Sequence, residues 1–186
     1  MSKLARPLGA VVALLLTLTT AACSGDDAEK DADAKASAAA VAGDVLVQKG
    51  LQQLRDGDTA GAQATFEKVL TVNPDNKYAH FNLGVIAQQA GDDETAMAAY
   101  DAALDADEAF APALYNKAIL TEPSDLEAAV ALYKRTVAAD PKLAAAYMRL
   151  GFALVHLGRK DEGAKYLGKG VSLDPSMADV EAPSYD

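Results

Sequence analysis

Residues 82–100 read NLGVIAQQAGDDETAMAAY. Leu83, Gly84 and Ala87 share one face of a first helix. Ala96 and Tyr100, with Ala103 just beyond, share one face of a second, at i, i+4 and i, i+7 spacings. Between them stands Gly91-Asp92: glycine ends a helix in a left-handed conformation, and aspartate caps the next. The same pattern recurs along the chain. Gly50, Gly84, Ala118 and Gly151 form one column of small residues, and Ala62, Ala96, Ala129 and Gly163 a second. Phe66, Tyr100, Tyr133 and Leu167 form a bulky column, and Pro74, Glu108, Pro141 and Pro175 a fourth. The steps are 34 or 33 residues. Units of that length are helix pairs that must stack to bury their apolar faces, and such stacks present surfaces to partners.

The columns set repeats at 43–76, 77–110, 111–143 and 144–177. Gly84 to Ala118 is 34 residues but Ala96 to Ala129 is 33, so one residue is missing between Ala118 and Ala129. That interval contains Glu122-Pro123-Ser124-Asp125, read as the shortened turn of the third pair. Pro74, Pro141 and Pro175 stop the second helix of their pairs.

Leu83-Gly84, Gly91, Ala96 and Tyr100, with Leu150-Gly151, Gly158, Leu167 and Pro175, resemble the tetratricopeptide repeat family over residues 43–175. Glu108 replaces the stopping proline, and Gly163 and Gly170 stand where alanine is usual. The resemblance implies an all-α, right-handed superhelical solenoid of four helix-turn-helix repeats, about eight helices. It also implies that the first helices line a concave groove for a protein or peptide segment. Carried across, the groove residues are Val47, Leu51, Tyr78, Phe81, Val85, Gln88, Gln89, Tyr115, Ile119, Met148 and Phe152, with Asn82, Asn116, Arg149 and His156 along the edge of that face. An apolar stripe on such a face is adhesive unless covered, and aromatic residues and Met favour protein contacts. Some relatives grip a C-terminal carboxylate with Lys and Asn. Val47 and Leu51 occupy those places here, and Lys117 and Lys134 do not substitute for them.

The N-terminus has a different character. Lys3 and Arg6 precede an apolar run from Pro7 to Thr19, then Thr20-Ala21-Ala22-Cys23. This describes an export signal over 1–22, whose apolar run is shorter than the about 20 apolar residues that span a bilayer. Cys23, the only cysteine, sits in a context that resembles a bacterial lipobox, with Thr20 where Leu is commonest. The resemblance implies cleavage before Cys23 and lipidation of it, hence a protein held on the outer face of the cell membrane, or on an outer membrane. Residues 24–42 of the 23–42 segment are acidic and rich in Ala and Ser, and read as a solvated linker with transient helix. Without residues 1–22, 15 Lys+Arg face 27 Asp+Glu, a net charge of −12 that disfavours nucleic acid.

Signals for chemistry are weak. Asp56, Asp58, Gly61 and Glu67 match part of a calcium loop, but the repeat register makes Asp58 a cap and puts Gly61–Glu67 inside a helix. His80 and His156 make no metal-ligand pair. No nucleophile elbow, P-loop or dinucleotide fingerprint appears, so neither catalysis nor a cofactor is expected. The tail, 176–186, is too short for a capping helix, which leaves the last repeat to be covered by a second molecule or to fray. The sequence reading is therefore a lipid-anchored scaffold that binds a protein segment and supports an envelope complex. The alternatives are a self-associating structural lipoprotein and an accessory subunit of an envelope enzyme.

Overall fold

Four helix starts carry the same device. Asp58, Asn76, Asp92 and Asp125 each place a side-chain oxygen on the backbone N–H three residues on, at 2.9–3.1 Å. Each satisfies a donor that the helix leaves open. The computed structural model describes residues 26–185, with side chains described at Ser37 and from Val41 onward. Eight α-helices follow: α1 (Asp26–Arg55), α2 (Thr59–Val72), α3 (Lys77–Gln89), α4 (Asp93–Ala106), α5 (Ala111–Thr121), α6 (Leu126–Ala139), α7 (Ala144–His156) and α8 (Lys160–Leu173). A 3-10 turn, Pro175–Asp179, closes the series. No strand occurs among the described residues.

Ser37–Asp186 forms one compact unit, and of the other unit, Met1–Ala36, the described part is the start of α1. Helix α1 begins at Asp26, well before Gly43, so residues expected as linker continue the first helix. Ala, the best helix former, makes up 8 of the 17 residues from 26 to 42. The export signal and Cys23 lie outside the described residues.

Within the compact unit, each pair packs on itself and then on the next. The bulky column forms the core: Phe66, Tyr100 and Tyr133 are fully buried. The small column exists to admit it. A Cβ on Gly84 would stand 2.6 Å from the Tyr100 ring, and one on Gly50 the same distance from Phe66. Gly163 and Gly170, departures from the family pattern, have a local reason. A Cβ on Gly163 would meet the Gly151 carbonyl at 2.7 Å, and one on Gly170 the Met148 sulfur at 2.7 Å. The last pair is therefore packed too closely for alanine.

Gly57, Gly91 and Gly158 take φ of about +80° between their helices. The third pair lacks such a glycine. There α5 has 11 residues where α3 and α7 have 13, and the chain turns through Glu122–Asp125. The missing residue lies where the column arithmetic put it. Without a proline at Glu108, α4 ends at Ala106, and Asp107 turns extended (φ −153°) and accepts from the Ala109 N–H at 3.1 Å.

Candidate protein-binding face

The first-helix positions divide into three zones. At the N-terminal end, Asp44, Val47, Gln48 and Leu51 of α1 face Tyr78 and Asn82 of α3 across a cavity of about 480 Å³. Tyr78 is 46% exposed, the most open of the expected groove residues. Its ring meets Phe110 edge-on at 5.5 Å. Val47 is buried against the first core cluster with Phe66 and Ile86, so it supports the face rather than forming it. Asn82 is also buried, and its Nδ2 donates to the Tyr78 carbonyl at 2.7 Å.

In the middle, the residues are committed to the stack. Phe81 lies 5.9 Å from Tyr100 and 5.6 Å from Phe110, and with Val85 it packs on the core of the second pair. Asn116 Nδ2 donates to the Tyr100 hydroxyl at 3.2 Å, and that hydroxyl donates to Gln88 Oε1 at 2.6 Å. Gln88 thus holds the Tyr100 hydroxyl within the second pair, and Asn116 ties the third pair to it.

The next junction repeats the arrangement with charges. Tyr133 donates to Glu122 Oε1 at 2.6 Å, and Arg149 Nη1 donates to Glu122 Oε2 at 2.7 Å. Glu122 occupies the register place of Gln88, and Arg149 that of Asn116. The Glu122 side chain is only 7% exposed. Burial first, then the bond to Glu122, pushes the Tyr133 phenol far up, so it remains a donor. Reading Glu122 as part of the shortened turn missed this. A signal existed: the register places it one helical turn past Ala118, on the face of α5 that meets α6.

At the C-terminal end the face is not open. After the 3-10 turn the chain runs extended from Val180 (φ −75°, ψ 123°) and comes back against α7. Met177, Val180, Glu181 and Pro183 face Tyr115, Met148, Arg149 and Phe152 around a cavity of about 230 Å³. Tyr185 packs on the cluster of Ala118, Tyr133, Leu150 and Leu154, 4.9 Å from the His156 ring. Ile119 packs on the same cluster. The Tyr185 hydroxyl is buried without a hydrogen-bond partner, and burial, with Glu122 nearby, raises its pKa. The tail, read as too short for a capping helix, packs its 3-10 turn against α7 and α8 and its Tyr185 against the neighbouring cluster. The tail has little apolar content, but a single half-buried tyrosine gives it an anchor. The outward residues of α8 (Asp161, Lys165, Lys169 and Ser172) are exposed and polar, so α8 presents its own polar cap.

Charge pairs stitch the outer edges: Lys77 with Asp107 at 2.6 Å, Lys134 with Glu162 at 2.9 Å, and Lys117 with Asp101. His80 Nε2 bonds the Pro74 carbonyl at 2.8 Å, a packing role. Asp58 caps α2, and Gly61–Glu67 lie within that helix. Among the described residues, no cluster of three or more metal-ligating groups occurs.

Two models of the tetratricopeptide repeat match the sequence, one over residues 47–118 and one over 120–182. The chain belongs to the tetratricopeptide repeat family. Solved structures with this repeat fold lie alongside it. A PilF protein of Pseudomonas aeruginosa is 25% identical with a TM-score of 0.67, over 76% of this chain and 66% of that one. MamA of Desulfovibrio magneticus is 24% identical with a TM-score of 0.59, over 74% and 78% of the two chains. A thermophilic tetratricopeptide protein of Thermus thermophilus is 18% identical with a TM-score of 0.57, over 73% and 77%. No functionally curated protein matches the chain.

Proposed function

We propose that this tetratricopeptide protein is a scaffold without catalysis of its own, which holds a protein segment on its first-helix face. The observation that carries the reading is the face itself. An exposed Tyr78 stands over a cavity of mixed lining, Val47 and Leu51 beside Asp44, Gln48 and Asn82, at one end, and a segment of the chain already lies against the other. Side chains that accept a segment of backbone there can accept one from a partner. Four repeats, export, lipidation of Cys23 and a role in assembling or stabilising an envelope complex complete the proposal. Their support is the repeat register, the N-terminal signal pattern and the lipobox-like context. Among the described residues, no helix is long and apolar enough to cross a membrane, so in this reading the lipid supplies the anchor. Self-association through the last repeat has less to drive it, because the outward face of α8 is polar.

The test is site-specific photocrosslinking in membranes. A crosslinker at Tyr78 is expected to give one discrete protein adduct that a crosslinker at Lys68, exposed on α2, does not give. Indistinguishable adducts from both positions would overturn the groove reading. Cys23→Ser is expected to release the protein from the membrane fraction, and continued retention would remove the lipid anchor.

A further inference from the structure

The C-terminal segment is a poor cap and a good guest. A cap seals the face it covers. This segment leaves a cavity of about 230 Å³ beneath it, keeps Val180 46% exposed, and buries the Tyr185 hydroxyl with no partner. Its conformation is that of a bound peptide: extended at Val180, with Pro183 over the face and the half-buried Tyr185 ring packed against the cluster that holds Leu150 and Leu154. Glu181 lines the same cavity as Arg149. Unsatisfied buried polar atoms and unfilled volume both weaken an occupant relative to one that fits. What holds this one is its attachment. A tethered segment works at an effective concentration that a short linker sets in the millimolar range.

We propose that Val180–Tyr185 is a built-in competitor for the binding face, and that the partner brings an extended, acidic, proline-containing segment whose aromatic ring takes the place of Tyr185. This inference rests on the groove reading and narrows it to the end formed by α5 and α7. The guest's carboxylate meets Arg149, and its ring enters the place beside His156. The face is thus closed at rest and opens only to a segment that outcompetes the tether.

The experiment uses the full chain and a fluorescein-labelled peptide with the sequence of residues 177–186, MADVEAPSYD. Anisotropy is expected to show binding to Tyr185→Ala at least about tenfold tighter than to the unchanged protein, because the substitution empties the site. The peptide with alanine in place of its tyrosine is expected to bind neither. A second variant ending at Asp179 keeps the 3-10 turn and is expected to match Tyr185→Ala, which guards against a folding defect in either one. Equal affinity for closed and emptied proteins, or equal binding of the tyrosine-free peptide, would overturn the proposal. A dimer in sedimentation equilibrium that dissociates on Tyr185→Ala would also overturn it, since the tail would then belong to a second copy. A discrete adduct at Tyr78 that persists through any of these failures would leave the broader groove reading standing.

Discussion

Tyr133 reaches across from α6 and donates its hydroxyl to Glu122 at 2.6 Å, at the C-terminal end of the helix it packs against. Arg149 of the next pair binds the other oxygen of the same carboxylate. One junction earlier, Tyr100, Gln88 and Asn116 occupy the same three places without formal charge. Phe66, in the first pair, has no hydroxyl and makes no such latch. The repeat therefore has a polar fastening between neighbours, and its strength varies along the stack. A bond to a charged acceptor is worth about 1.5–3 kcal/mol, and a neutral one about 1 kcal/mol. Tyr133→Phe is accordingly expected to cost more in urea unfolding than Tyr100→Phe, about 2 against about 1 kcal/mol. Equal losses would show that the Glu122–Arg149 pair adds nothing to the latch.

The packing of the small column gives opposite signs for two glycines. Gly84→Ala would push a methyl to 2.6 Å from the Tyr100 ring, whereas a Cβ on Gly168 meets nothing within 4 Å. Gly84→Ala is expected to destabilise by about 1–3 kcal/mol despite its better helix propensity. Gly168→Ala is expected to stabilise by up to about 1 kcal/mol. Thermal melts of the two variants check the pair.

The caps are testable one at a time. Asp58 accepts from the Gly61 N–H at 2.9 Å and from Gln53 Nε2 at 3.1 Å. Asp58→Ala is expected to cost about 1 kcal/mol, and Asp58→Asn much less, because Asn caps as well. If the partial calcium pattern were a metal site, the melting temperature of the unchanged protein would rise with added calcium. No such rise is expected.

Acid sensitivity has a named source. The hydrogen bond from Lys77, then that from the Ala109 N–H, lowers the Asp107 carboxyl below its ordinary value of 3.8. Bonds from Lys134 and Arg159 lower Glu162 below 4.5. A carboxyl depressed in the folded state adds stability above its unfolded pKa, and that stability disappears as pH falls through the folded one. Melting temperature is expected to drop on acidification below about pH 4.5 and through the range below 3.8. Asp107→Asn combined with Glu162→Gln is expected to flatten that drop while lowering the melting temperature at about pH 7. An unchanged acid limb in the double variant would assign the loss to other carboxylates.

Tyr78 separates binding from folding. Its ring is nearly half exposed and touches Phe110 only at an edge. Tyr78→Ala is expected to leave stability within about 1 kcal/mol of the unchanged protein, the scale of one exposed aromatic contact, and to lower partner crosslinking several-fold. Phe81→Ala cannot serve the same purpose, because its ring packs on both Tyr100 and Phe110.

The residues named from sequence as the groove show where a linear reading stops. The register placed Tyr115, Met148, Arg149 and Phe152 on one face, and in the structure they do meet around one cavity. Whether each is free there was not legible. Val47 and Met148 are buried, Gln88 and Asn116 are bound to Tyr100, and Arg149 is bound to Glu122. A position in a repeat specifies the direction of a side chain, whereas its availability depends on what the neighbouring pair and the tail place opposite it.

The aspartate caps at Asp58 and Asp92, the turn glycines, the period and the missing residue near Pro123 were present in the order of residues, because capping and helical phase act within about one turn of chain. Glu122 became a buried acceptor through partners 11 and 27 residues away, Tyr133 and Arg149. Tyr185 found its place against Ala118, Tyr133 and Leu150, residues distant in sequence that stacking brings together. Such contacts form when whole faces pack, since burial of an aromatic ring rewards whichever segment can reach the gap. The chain's order thus specified a stack of helix pairs, and the packing of that stack determined which part of its face is open and which is already occupied.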